Sequence, residues 1–123
     1  MGNLTFVVVD DAIFMRTLLK RMIEEEEGYT VVGEAGDGHE AIHQAQLKKP
    51  DIMTLDITMP DMDGINAIKE ILKVSPHTKI IMVSAMGQQA MVIEAIKLGA
   101  RDFVVKPFDK SRVFAAIQNV ISS

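Results

Sequence analysis

Five residues carrying reactive side chains stand at the ends of short apolar runs. Asp10 and Asp11 close the run 4–9, Asp56 closes 52–55, Ser84 closes 79–83 and Lys106 closes 102–105. Three carboxylates brought to close range repel one another and need a cation. Oxygen donors without His or Cys select Mg2+ or Mn2+ over zinc. Mg2+ keeps several waters and favours one or two carboxylates together with a phosphate oxygen. Phosphoryl transfer is mostly positioning and charge neutralisation, and this set suits it. In such chemistry Asp56 would be the nucleophile and form an aspartyl phosphate. The ion and Lys106 would neutralise the phosphoryl oxygens, and Ser84 would donate a hydrogen bond to one of them. Each residue alone has a plainer use. An Asp pair after a strand can cap a helix. Asp56 suits a turn, because Asp61, Asp63 and Gly64 mark a turn-rich stretch nearby. Ser84 and Lys106 are ordinary at strand ends and in loops. Together the plain uses fail, since unpaired like charges in one cleft are destabilising.

The elements that must position these groups follow from periodicity. Residues 4–9, 30–35, 52–55, 79–83 and 102–105 read as strands. Residues 12–27, 38–48, 64–74, 88–98 and 110–121 read as helices. In the first helix, Phe14 or Met15, Leu18, Leu19, and Met22 or Ile23 form the apolar stripe, and Gly28 stops it. Strict alternation implies an α/β, doubly wound parallel sheet with right-handed crossovers and helices on both faces. Runs such as Phe6-Val7-Val8-Val9 and Ile80-Ile81-Met82-Val83 suit strands buried on both faces. Open parallel sheets bind ligands outside the carboxyl ends of their strands, where all five residues fall.

The chain has 123 residues, one domain's length, and no cysteine. Disulfides, thiol nucleophiles and thiolate metal sites are thereby excluded. Lys plus Arg is 13 against 17 Asp plus Glu, a net charge of −4 that disfavours sequence-independent nucleic-acid binding. No apolar run approaches the ~20 residues of a membrane span, and no signal peptide is readable. The expectation is a cytoplasmic monomer that binds neither nucleic acid nor membrane. The run Glu24 to Glu27 reads as a solvated helix end whose charge opposes the helix dipole.

Four motifs carry a resemblance along the whole chain. They are Val9-Asp10-Asp11, Asp56-Ile57-Thr58-Met59-Pro60-Asp61-Met62-Asp63-Gly64, Ser84-Ala85 and Lys106-Pro107-Phe108. With them the chain resembles the receiver domains of two-component response regulators. The stretch from Ser84 to Val92 is similar to the CheY family of single-domain chemotaxis regulators. The resemblance implies a flavodoxin-like (βα)5 fold with strand order 2-1-3-4-5. It implies Asp56 as phosphoacceptor from a histidine kinase. Mg2+ ligation is implied for Asp11, Asp56 and the main-chain carbonyl of Thr58, with Asp10 acting through water. It also implies a cis peptide before Pro107. The implied partners are a chemotaxis-type histidine kinase, a flagellar motor switch protein and a phosphatase. Phe103 stands where enteric chemotaxis regulators have Tyr, so no step here can use that hydroxyl. An alternative of another class is a receiver excised from a larger enzyme or transcription factor, and the length of the natural gene discriminates between the two.

Two further patterns compete for meaning. His39-Glu40-Ala41-Ile42-His43 spells the H-E-x-x-H motif of small zinc metallohydrolases. A helical wheel buries Ala41, Ile42 and Ala45 and turns both imidazoles away, and His77 lies beyond a different helix. The helix 88–98 is too apolar for one face. Met91, Ala95 and Leu98 should pack on the sheet, leaving Val92 and Ile96 beside Phe103, either as deeper core or as a switchable partner face.

Overall fold

Phe6, Val7, Val8 and Val9 are all fully buried, so the first apolar run is covered on both sides. Successive strand side chains point to opposite faces, and two helical layers are therefore required. The computed structural model describes residues 3–59 and 62–122 and supplies them. Strands β1 (Leu4–Val9), β2 (Tyr29–Ala35), β3 (Ile52–Asp56), β4 (Lys79–Ser84) and β5 (Asp102–Val105) alternate with helices α1 (Ile13–Glu24), α2 (Gly38–Lys48), α3 (Gly64–Val74), α4 (Gln89–Leu98) and α5 (Lys110–Ser122). All pairings are parallel and the order is β2-β1-β3-β4-β5, as expected. Val7, Val9, Met53 and Leu55 pack against α2, α3 and α4 through Ala41, Ala45, Ile68, Ile71 and Ala95. Phe6 and Val8 pack against α1 and α5 through Leu19, Ile23, Val113 and Ile117.

The first helix differs from its sequence reading. It runs Ile13–Glu24 and leaves Glu25 to Glu27 outside. Continuing it would stack further carboxylates on the negative end of the helix dipole. Instead Glu24 accepts a hydrogen bond from Val31 N at 3.0 Å, and Glu25 pairs with Lys110 at 2.6 Å. Gly28 reverses the chain at φ +90°, where a side chain would be strained. Leu19 and Ile23 are buried, whereas Phe14 is 74% exposed and is not part of the stripe.

The helices after β2 and β3 are started by their own carboxylates. Asp37 accepts from Glu40 N at 2.8 Å and Asp63 from Asn66 N at 2.9 Å. Pro60 and Asp61 lie outside the described residues, so the turn role read for Asp61 is not placed. No helix among the described residues is long and apolar enough to cross a membrane.

Candidate functional site

Strand register brings the reactive residues together. Val9 pairs with Leu55, Asp56 with Val83 and Ser84 with Val105, so the chain segments carrying Asp10, Asp11, Asp56, Ser84 and Lys106 leave the sheet at one edge. Carboxylate oxygens of Asp10, Asp11 and Asp56 all lie within 4.8 Å of one another. Asp10 and Asp56 are buried and Asp11 is exposed. Lys106 reaches into the set, with Nζ 3.0 Å from Asp10 Oδ2 and 3.6 Å from Asp56 Oδ1. Ser84 is buried at the adjoining strand end. Its carbonyl accepts from Lys106 N at 2.7 Å, and the Lys106–Pro107 peptide is cis.

The Asp pair does not cap α1. The residue before that helix is Ala12, which makes no side-chain cap, and Asp10 Oδ1 instead accepts from Ala12 N at 2.9 Å. Arg16, which the sequence reading passed over, donates from Nη1 to the Asp10 carbonyl at 2.6 Å and pairs with Glu34 at 3.2 Å. Its only sequence signal is its place in the first turn of the helix that follows the Asp pair. The donor set therefore fits a hard divalent ion: three hard oxygens, one of them open to solvent, and no nitrogen or sulfur ligand.

Burial raises the Asp56 pKa to about 6, and the charges of Asp10 and Asp11 add to that rise against the opposing pull of Lys106. Burial pulls Lys106 down, but its hydrogen bond and charge contacts with Asp10 and Asp56 outweigh this and leave its pKa raised. The folded protein thus holds a proton on Asp56 more tightly than the unfolded chain does. The associated stability is complete below about pH 4 and is lost as pH rises through about 6. In metal-free buffer Asp56→Asn should therefore stabilise the fold by about 1–3 kcal/mol at pH 7.5 and by almost nothing at pH 4. Urea unfolding at the two pH values checks this; a gain independent of pH would show that Asp56 is not under charge strain.

Gly64 positions the site from beneath. A Cβ there would collide with the backbone carbonyl oxygen of Asp56. The Gly64 amide donates to Ile57 O at 2.9 Å, so the start of α3 sits directly on the end of β3. Gly64→Ala must push that strand end away. A loss of about 2–3 kcal/mol in unfolding free energy is expected, together with slower reaction at Asp56. Chemical denaturation of the variant checks it, and a loss under about 0.5 kcal/mol, the range of a neutral surface change, would mean that the backbone has room to spare.

In the helix 88–98, packing separates the two residues that the sequence left open, Val92 and Ile96. Val92 is buried and belongs to the core with Ala95, so it presents almost nothing outward. Ile96 is 41% exposed but does not line the adjoining groove. That groove, about 360 Å³, is lined by Met86, Gln88, Ile93, Phe103 and Val105, with Val92 beneath. Met91 and Leu98 pack against the core as expected. Helical spacing sets the angle between two stripes but not which stripe the sheet covers.

The H-E-x-x-H pattern assembles no site. His39 and His43 are exposed on α2. Glu40 accepts from Gly36 N at 2.7 Å, and His77 Nε2 lies 3.1 Å from the Lys49 carbonyl. Among the described residues, the group of three metal-type ligands is Asp10, Asp11 and Asp56.

Comparison with known proteins gives a consistent match. The family model described as response regulator receiver domain covers residues 6–118. A chemotaxis protein CheY of Thermotoga maritima is 60% identical over 114 residues, spanning 93% of this chain and 94% of that protein. A CheY of Listeria monocytogenes is 51% identical over 115 residues, spanning 94% and 96%. Among solved structures, the CheX-CheY-BeF3-Mg2+ complex of Borrelia burgdorferi matches with a TM-score of 0.91 at 34% identity, covering 98% of this chain and 90% of that one.

Proposed function

The chain belongs to the response regulator receiver family, and on that premise we propose that it takes a phosphoryl group from a histidine kinase onto Asp56 and so switches a partner-binding face. The observation that carries this reading is the position of Asp56. It is buried, its pKa lies near 6, and it is joined by two further carboxylates and faced by the Lys106 ammonium. In the transfer, an Asp56 carboxylate oxygen bonds to phosphorus as the phosphorus–nitrogen bond of the kinase phosphohistidine breaks. The imidazole nitrogen leaves with the electron pair. The chain catalyses only its own phosphorylation and dephosphorylation.

Asp11, Asp56 and the main-chain carbonyl of Thr58 hold Mg2+ in this reading. Asp10 acts through water, in keeping with oxygens already engaged by Ala12 N and Lys106. The bound ion supplies neutralisation of phosphoryl oxygen charge. Lys106 contributes a second positive charge, and its contact with Asp56 at 3.6 Å supports a role in following the new oxygens. Ser84 supplies a hydroxyl from the next strand end. Movement of Ser84 frees the space behind it, and the Phe103 ring, 37% exposed at the groove, turns inward. The bias comes from ring packing and the Ser84 hydrogen bond, because Phe103 carries no hydroxyl.

The pathway is chemotaxis, with a chemotaxis kinase upstream, a flagellar motor switch protein as target and a phosphatase to reset the signal. The CheY relatives spanned nearly end to end support this over a module of a larger regulator. In this reading the chain works as a single receiver domain in the cytoplasm. Incubation with acetyl phosphate and Mg2+, followed by intact-mass and peptide mass spectrometry, tests the reading. One phosphate on Asp56 is expected; absence of a covalent phosphate, or its attachment elsewhere, overturns it.

A further inference from the structure

Gln88 stands at the start of α4, yet its side chain caps nothing in that helix. Its Oε1 accepts a hydrogen bond from the Ala85 amide at 2.7 Å, and its Nε2 donates to Thr58 Oγ1 at 3.0 Å. The partners determine which end is which, since a backbone N–H needs an acceptor and the carbonyl oxygen must face it. A single primary amide therefore joins the loop after β4 to the loop after β3. Those loops leave the strand ends that carry Ser84 and Asp56.

The loop after β4 lies open to solvent. Ala85, Met86 and Gly87 are exposed, Met86 at 78%. Gly87 adopts φ +87° with open space where a Cβ would sit. Helix α4 has no side-chain cap and no acidic residue in its first turn. The Gln88 side chain instead spans from the Ala85 amide to the Thr58 hydroxyl.

We propose that Gln88 is a positioning residue that fastens these two loops into one unit. It holds Thr58, whose carbonyl the preceding reading gives to Mg2+, in fixed relation to the start of α4 and the groove beside Phe103. An event at the acidic cluster that moves either loop must strain or break this bridge, and α4 responds. The coupling is carried by a contiguous pair of hydrogen bonds, each a defined element with a made and a broken state. The inference rests on the Mg2+ reading for its consequence, while the bridge itself needs neither ion nor phosphate.

Amide hydrogen exchange by NMR on the full chain, free of metal and phosphate, decides the matter. In Gln88→Leu, Ala85 loses its acceptor and should exchange at least about fivefold faster, as expected for a hydrogen bond of about 1 kcal/mol. Thr58→Val removes only the far end of the bridge, and Ala85 should still exchange about two- to fivefold faster. The double variant should exchange no faster than Gln88→Leu alone, the mark of one coupled unit. Gln88→Glu should restore protection, because its two carboxylate oxygens can accept from Ala85 N and from the Thr58 hydroxyl. Mg2+ titration of the same variants should give about two- to threefold weaker affinity in Gln88→Leu and in Thr58→Val, with no further loss in the double variant. Ala85 exchange unchanged by Thr58→Val overturns the bridge. Unchanged Mg2+ affinity in both single variants overturns its positioning role. A wild-type chain that binds no Mg2+ at all counts against the metal reading, and the exchange result still decides whether the bridge exists.

Discussion

Asp56→Asn is expected to lose covalent labelling from acetyl phosphate by at least about 100-fold, down to the background of the assay. Removing the attacking atom of a covalent step costs orders of magnitude, since no neighbouring group can stand in for it. The site offers no substitute. Asp10 is buried with one oxygen bonded to Ala12 N and the other held by Lys106. Asp11 is exposed, and an exposed carboxylate lacks the enclosed, charge-neutralising surroundings that the transfer needs. Unfolding does not explain such a loss, because the same substitution is expected to raise stability at neutral pH. Time courses of intact mass for wild type and variant, each with a urea unfolding curve, are the measurement. Undiminished labelling would move the phosphoacceptor to another residue.

Asp11→Ala should weaken Mg2+ binding by about 10- to 100-fold, the second large effect. Asp11 is the solvent-facing member of the carboxylate set, so an ion arriving from water meets it first. Its removal relieves repulsion as well, and little stability should be lost. That separates a missing ligand from a damaged fold. Calorimetric or NMR titration with Mg2+ measures the affinity, and denaturation in metal-free buffer measures the fold. Wild-type affinity in Asp11→Ala would mean that the ion is held by other groups. The pH dependence gives an independent check. Protonation of Asp56 near pH 6 removes one ligand charge, so Mg2+ affinity should fall as pH drops from 7.5 to 5.5.

Much of this protein is written in its sequence, for a physical reason. A parallel strand buried on both faces must be nearly all apolar, and runs such as 6–9 and 80–83 satisfy that requirement openly. Alternation with helical periods then dictates the layers, and the polar residue ending each run falls at the ligand-binding edge. Asp10, Asp11, Asp56, Ser84 and Lys106 are legible in this way before any contact is known. The strand order came from family resemblance, because the alternation of elements is compatible with more than one order.

What tertiary structure decided are matters in which distant segments compete for the same space or charge. Periodicity placed an apolar stripe on α1 but could not tell whether Phe14 or Met15 belonged to it; the sheet takes Leu19 and Ile23 and leaves Phe14 in water. The same ambiguity left Val92 either in the core or on a partner face, and the packing of the helix puts it in the core, at the groove beside Phe103. Gly64 is unremarkable as a letter, and only the approach of α3 to the Asp56 carbonyl shows why no larger residue fits. Arg16 and Gln88 bond to groups that sequence spacing does not single out, Asp10 O, Ala85 N and Thr58 Oγ1. A chain's local pattern encodes what each segment prefers by itself. Which long side chain crosses to which loop depends on distances that exist only once the strands have paired.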